Sequence, residues 1–285
     1  MIAGVDQVLR LFPAPVSGVP LRGLYLQDAL RPQGAPGRPC VYASFIASLD
    51  GRIALPRPDA GTRGPPPEIT NPRDWRLFQE LAASADAVVT SGRYLRDLAA
   101  GTVQDTLPVS GRPEFADLHA WRAARGLVPQ PAVVILTRRL EVPIPGSVLR
   151  SGRRVYLATG VAPDHARAAR LDAAGVRVLT VGNATGVDGR ALVEALADEG
   201  FRTIDMTAGG ALLHTLLAAG GLDRLYLTQA CRLLGGELFD TLLKGPQLVP
   251  PVSFKLHALH YDPARPGGIE QLFLMLQREV AASGR

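Results

Sequence analysis

Apolar positions along this chain follow two rhythms. Short unbroken runs at 41–46, 85–90, 132–137, 155–159, 176–181, 201–206 and 225–230 have the length of strands buried on both faces. Between them, apolar residues recur three and four apart, the signature of helices with one buried face. Such helices are predicted over 113–125, 163–174 and 188–199, the last capped by Asp188. Another starts at Pro72, with Thr70 or Asn71 as cap and Trp75, Phe78, Leu81 and Ala82 on its apolar face. A shorter helical fragment is predicted over 5–12. Two alternating stretches, 252–261 and 269–278, read as an antiparallel hairpin joined across 263–268. The pattern predicts an α/β fold: a mixed, mostly parallel sheet flanked by helices and closed by a C-terminal antiparallel hairpin. Residues 1–39, rich in proline and glycine, read as an arm packed on a domain spanning 40–285, and 56–67 reads as a mobile loop.

The stretch 201–236 organises the rest, because it reads strand, Gly209-Gly210, helix, strand. A helix that starts directly after a strand offers unpaired N–H groups and the positive end of a dipole, and glycines let a diphosphate come close. The same glycines serve equally to make a turn compact. Neither G-x-G-x-x-G nor G-x-x-x-x-G-K-[ST] occurs, so a nucleotide site here is of another kind. Other strands also end in polar or small residues: Ser48-Leu49-Asp50-Gly51-Arg52, Ser91-Gly92-Arg93 and Thr137-Arg138-Arg139. Functional groups in α/β folds sit at such ends. Asp50-Gly51 is also what a plain chain reversal would use.

Composition narrows the partners. A chain of 285 residues with 47% hydrophobic content buries a substantial core. Its net charge is +5, and Lys244 and Lys255 are the only lysines, so 29 of the 31 basic residues are arginine. The arginines are scattered and aromatic residues sparse, which argues against a nucleic-acid surface and suits an anionic small molecule. Cys40 and Cys231 are expected to be two buried free thiols in a reducing, cytoplasmic setting. No apolar run approaches a membrane span or a secretory core. The five histidines lack metal-ligand spacing, and the H-x-E and P-C-x-x-C pattern of a zinc deaminase is absent, so no metal is expected.

The motifs together resemble a known family. Residues 48–54, S-L-D-G-R-I-A, resemble the S-L-D-G-[KR]-I-A signature of the riboflavin-pathway pyrimidine reductases. Ile69-Thr70-Asn71 resembles their helix start, 85–89 their A-D-A-V strand, and 207–212 their E-G-G-[PA]-x-L turn. Residues 222–225 and 234–236 continue the series in order. The resemblance implies a dihydrofolate-reductase-like fold, a homodimer, and NADPH as cofactor. It implies reduction of a phosphoribosylamino-pyrimidine, as by 5-amino-6-(5-phosphoribosylamino)uracil reductase, with the ribose imine becoming a ribityl amine. Two departures stand out: Ala208 replaces the glutamate before the paired glycines, and the family's A-D-D-P-x-L-x-x-R stretch is not recognisable after Arg93.

On this reading the nicotinamide lies near Ala47, Ser48, Ile69 and Thr70. The diphosphate meets the N–H groups of Gly209, Gly210, Ala211 and Leu212. A 2′-phosphate needs a cation at a strand end, so Thr137, Arg138 and Arg139 are expected there, with Ser91, Gly92 and Arg93 second. Ser48, Asp50 and Arg52 face the substrate, and Asp50 orients it or relays a proton, unless it only caps its turn. Asp205, inside a strand, is expected to make a structural hydrogen bond. Two other functions stay open: a pteridine reductase on the same fold, and a nucleotide-binding protein without catalysis.

Overall fold

The computed structural model describes residues 6–28, 30, 37–57, 61–137, 142–184, 186–263 and 268–279. The chain opens with strands β1 (Gln7–Phe12) and β2 (Ser17–Pro20), then β3 (Cys40–Ser48), β4 (Arg52–Arg57) and β5 (Thr62–Gly64). Helix α1 (Pro72–Ser84), β6 (Ala87–Ser91), α2 (Gly92–Ala99) and α3 (Ala116–Ala124) follow. Next come β7 (Ala132–Leu136), α4 (Gly146–Leu149), β8 (Val155–Thr159), α5 (His165–Ala173) and β9 (Val176–Thr180). A small ladder, β10 (Gly182–Asn183) with β11 (Gly186–Val187), leads into α6 (Gly189–Asp198) and β12 (Thr203–Met206). The chain ends through α7 (Gly210–Ala218), β13 (Arg224–Ala230), β14 (Asp240–Thr241), β15 (Phe254–Asp262) and β16 (Gln271–Arg278).

Eleven strands form one sheet in the order β2-β1-β15-β16-β13-β3-β12-β6-β7-β8-β9. The seven strands from β13 to β9 run parallel, and β16, β15, β1 and β2 add antiparallel to that side. The α/β fold with a closing hairpin is therefore as the sequence predicts. Strands such as β7 (AVVIL) are apolar throughout because both faces are covered. Alternation sorts the side chains: Tyr42 points to the layer containing α1, α2 and α5, while Val41 and Ala43 point to α6 and α7. From β3 the chain moves outward through β6, β7, β8 and β9, then returns to lay β12 between β3 and β6. That return is a topological switch, where parallel sheets open a crevice at the carboxyl ends of their strands.

Several local expectations are corrected. The stretch at 5–12 is no helix where it is described: Gln7–Phe12 is strand β1, paired with β15. Val8 is fully buried, and pairing with a sheet edge outweighs a short helical pattern. Within 56–67, β4 and β5 form a hairpin, and β14 joins its other side to make a three-stranded flap. Helix α2 was hidden behind Gly92. On α1, Leu77 and Leu81 are the deeply buried residues, while Trp75 and Phe78 stack half-buried, with ring centroids 5.2 Å apart. Cys40 is buried, but Cys231 is exposed.

The N-terminal segment is tied in by charge. Glu80 on α1 is fully buried and accepts the N–H groups of Gly23 at 2.7 Å and Tyr25 at 3.0 Å. Arg76 balances it at 2.9 Å and reaches on to Asp117. Lower on the sheet, Asp28 pairs with the buried Arg224 and accepts the Tyr226 hydroxyl.

Asp205 departs from expectation. It lies fully buried in β12 beside Tyr42 and Val88, and neither carboxyl oxygen has a hydrogen-bond partner. Burial pushes its pKa up to about 8. The unfolded chain ionises this group near pH 3.9, so folding becomes progressively less favourable as pH rises from about 4 to about 8. The slope approaches about 1.4 kcal/mol per pH unit. We expect Asp205→Asn to melt higher than the unmodified protein at pH 8, with a smaller advantage at pH 5. Thermal melts at both values check this, and an advantage independent of pH would refute it.

Candidate active site

The carboxyl ends of β3, β12, β6 and β7 line one edge of the sheet, with Ser48 opposite Ala230 of β13 and Ser91 opposite Leu136. Loops after these strands carry most of the residues singled out from the sequence. The structure sorts them into a carboxylate clamp, a glycine turn and a basic cluster.

Ser48, Asp50 and Arg52 come together as the clamp. The buried Ser48 hydroxyl donates to Asp50 and accepts the Arg52 N–H at 3.1 Å. Asp50 also accepts the N–H groups of Leu234 at 3.2 Å and Gly235 at 2.8 Å, and pairs with the Arg52 guanidinium at 2.7 Å. Arg52 in turn donates to the Gly236 carbonyl at 3.1 Å and lies 4.3 Å from the centroid of the Phe239 ring. The Ser48 hydroxyl, the Gly235 and Leu234 amides and Arg52 together hold Asp50 down to a pKa of about 2. A carboxylate so committed is ionised at neutral pH and anchors the 234–236 loop. It has no proton to hand on there.

The two glycines do different work. A side chain on Gly210 would meet the Thr241 and Leu242 carbonyls at 2.8 Å, and the Lys244 N–H bonds the Gly210 carbonyl at 3.1 Å. Gly210 thus exists to let the 241–244 segment lie against α7. Gly209 is exposed, and a methyl group there would meet nothing within 4 Å. The Leu212 N–H is already bonded to the Gly209 carbonyl at 3.0 Å. An anion at this helix start therefore has the first-turn groups from Gly209 to Ala211, which helix geometry leaves without intrahelical partners.

Across the edge, Ser91, Gly92 and Thr137 are neighbours, since a side chain on Gly92 would stand 3.4 Å from Thr137 and 3.1 Å from Val142. Arg93 is 60% exposed and approaches Asp240 of the flap at 3.8 Å, where Arg63 also pairs at 3.1 Å. Arg138 and Arg139 lie outside the described residues. On the other side, Ile69 is buried and its carbonyl accepts the Gln271 amide at 2.9 Å. Gln271 stands in one row with Ala230 and Ser48, so Ile69 and Thr70 are near the buried Ala47.

Two features escaped the sequence. Ser44, Phe45 and Ile46 are only half-buried although β3 is the sixth of eleven strands, Ser44 and Ile46 on the α1 side of the sheet and Phe45 on the α7 side. On the α1 side, Asp74 in the first turn of α1 accepts a hydrogen bond from Thr228 of β13, and burial of its carboxyl pushes the pKa up to about 6. A carboxylate three residues before Leu77 and seven before Leu81 on the buried stripe was the available signal.

The chain is similar to known proteins. Residues 39–262 match the family described as the RibD C-terminal domain. Over 210 residues the chain is 27% identical to the 2,5-diamino-6-ribosylamino-4(3H)-pyrimidinone 5′-phosphate reductase of Archaeoglobus fulgidus, covering 73% of this chain and 87% of that one. It is 29% identical over 211 residues to the riboflavin biosynthesis protein RibD of Bacillus amyloliquefaciens, again covering 73% of this chain. The match takes in 50% of that protein, so the chain spans about half its length. A solved pyrimidine reductase-like protein from Corynebacterium diphtheriae shares the fold, with a TM-score of 0.61 at 19% identity, covering 85% of this chain and 92% of that one.

The glycine turn yields a paired expectation. Gly210→Val forces the 241–244 segment off α7 and should lower stability by about 1–3 kcal/mol. Gly209→Ala, in extended backbone with φ −67°, should leave the melting temperature nearly unchanged. Melting curves of the two variants check this, and equal losses would show the two glycines to be equivalent.

Proposed function

The chain belongs to the RibD C-terminal domain family, and on that footing we propose that it is an NADPH-dependent reductase of a phosphoribosylamino-pyrimidine. The observation that carries the reading is the cleft itself. Half-buried positions of the central strand lie between an accessible helix start at Gly209 and the strand end at Ser48. NADPH, when bound, supplies the hydride that turns the ribose imine into a ribityl amine.

The residues present fit that cofactor. The Gly209–Ala211 N–H groups suit the diphosphate, because the exposed Gly209 leaves its approach open. Ala47, Ile69 and Thr70 wall the nicotinamide end. Ser91, Gly92 and Thr137 form the floor beneath a 2′-phosphate, with Arg93 as the cation and Arg138 and Arg139 contributing from outside the described residues. The flap of β4, β5 and β14 reaches this edge through Asp240, which Arg93 and Arg63 approach. Ser48, Asp50 and Arg52 act on the substrate through the loop they hold, by fixing the position of 234–236 at the cleft mouth.

The wider setting follows the same reading. We infer a homodimer, supported by the exposed apolar side chains of Leu233, Leu238, Leu243 and Val249. Unpaired Cys40 and Cys231 suit a reducing cytoplasm. Among the described residues no helix is long and apolar enough to cross a membrane.

The test is reduced-nicotinamide consumption with a phosphoribosylamino-pyrimidine and, separately, with dihydrofolate. We expect turnover with the pyrimidine alone and at least about tenfold tighter binding of NADPH than NADH. Turnover with dihydrofolate alone would assign a pteridine reductase. Cofactor binding with no turnover on either substrate would assign a protein without catalysis.

A further inference from the structure

The strands of the flap carry Arg52, Arg57 and Arg63 against one carboxylate, Asp240. Arg63 and Asp240 share a face of it, because they pair with Pro56 and Ala54, two positions apart on β4. Arg63 donates to one oxygen of Asp240 at 3.1 Å, and Arg93 of α2 stands 3.8 Å from the other. The second distance is too long for a hydrogen bond. Among the described residues Arg93 has no hydrogen-bond acceptor. It also stands in the first turn of a helix with no acidic residue there and no side-chain cap bond from Ser91, a place where a cation works against the dipole. Arg57 belongs to the opposite face of the same hairpin. It lies over Gly64, where a side chain would meet its guanidinium at 2.5 Å, and no described carboxylate pairs with it.

Two guanidiniums that share one carboxylate, each through a single oxygen, form a pair of the weakly held surface kind. A phosphate monoester carries a charge of about −1.5 to −2 at neutral pH and three acceptor oxygens, so it answers both cations at once. The cluster adjoins Ser91, Gly92 and Thr137, where the cofactor reading puts the 2′-phosphate. Resting on the reductase reading above, we propose that Arg63 is a further cation of the 2′-phosphate site, supplied by the flap, and that Asp240 is the anion the phosphate displaces from Arg63 and Arg93.

The exchange replaces one anion by another and makes or breaks no covalent bond. NADPH draws Arg63 onto the cofactor, and the β4–β5 hairpin comes with it. NADH has a hydroxyl at that position, which lacks the charge to take the guanidiniums from Asp240. Arg63 and Asp240 therefore have opposite effects on binding although they are partners in one ion pair. Arg63 rewards the 2′-phosphate, and Asp240 excludes a dinucleotide without one. Whatever residues 138 and 139 add is common to every variant compared below.

The test measures dissociation constants of NADP+ and NAD+ by calorimetry, without substrate and at one salt concentration, with a melting curve for each variant. Arg63→Ala should weaken NADP+ by about tenfold or more and leave NAD+ within about twofold. Asp240→Asn keeps the size of the side chain and removes its charge, so NADP+ should bind about threefold tighter. Arg57→Ala makes the same change of net charge on the other face of the hairpin, and both constants should stay as they were. A structural ion pair would instead make Arg63→Ala and Asp240→Asn err in the same direction, and that result overturns the inference. Equal losses of NADP+ and NAD+ in Arg63→Ala overturn it too, as does an Arg57→Ala variant that loses as much NADP+ as Arg63→Ala. All three outcomes leave the reductase reading standing, because the dinucleotide still binds. If the unmodified protein binds neither dinucleotide, the reductase reading falls and this inference falls with it.

Discussion

The placing of β12 between β3 and β6 is the constraint from which the site follows. Thr203 to Met206 pair with 40–43 on one side, and Ile204 to Met206 with 87–89 on the other. A strand inserted there must be short and buried on both faces, which is why its apolar run has no exposed position. Because α7 follows β12 directly, its first turn arrives at the centre of the strand ends, not at the rim. Because α1 must cross the same sheet on the other face, its own first turn stands over β13 and β3. The two helix starts thus flank one crevice from opposite layers, although their first residues, Pro72 and Gly210, are 138 positions apart.

Around this crevice the carboxylates divide into two groups by what surrounds them. Asp50 is supplied with a hydroxyl, two amides and a guanidinium, and these donors hold it ionised. Asp74 and Asp205 have one donor and none, and burial drives both toward the neutral form. Depth, more than the supply of donors, decides which way each group moves. Glu80 shows this from within the core: burial raises its pKa although two backbone amides and Arg76 pull the other way.

Much of the fold was legible because buried parallel strands cannot disguise themselves. The run at 155–159 coincides with β8, and Asn71 and Asp188 cap α1 and α6 with their side chains. What stayed hidden depends on partners far along the chain. Strand β1 is a strand because β15, some 250 residues later, offers it an edge. Asp50 had the look of a catalytic acid until Leu234 and Gly235, whose amides fill it, were brought beside it. Gly210 read as a phosphate contact, yet the group pressing on it is the main chain at 241–242. Local spacing names the residues at a strand end, but cannot say which of them are already spoken for.

The N-terminal segment carries a consequence for where this domain starts. Family likeness begins at residue 39, after β1, β2 and the residues that Glu80 receives. Homology and self-sufficiency therefore have different borders in this chain. A protein that began at residue 39 would expose the β15 edge to any passing strand. It would also leave Glu80 without the two amides it receives, with Arg76 alone beside it, and strip Asp28 from Arg224. The segment that similarity passes over is bound into the domain by a sheet edge and by two buried carboxylates.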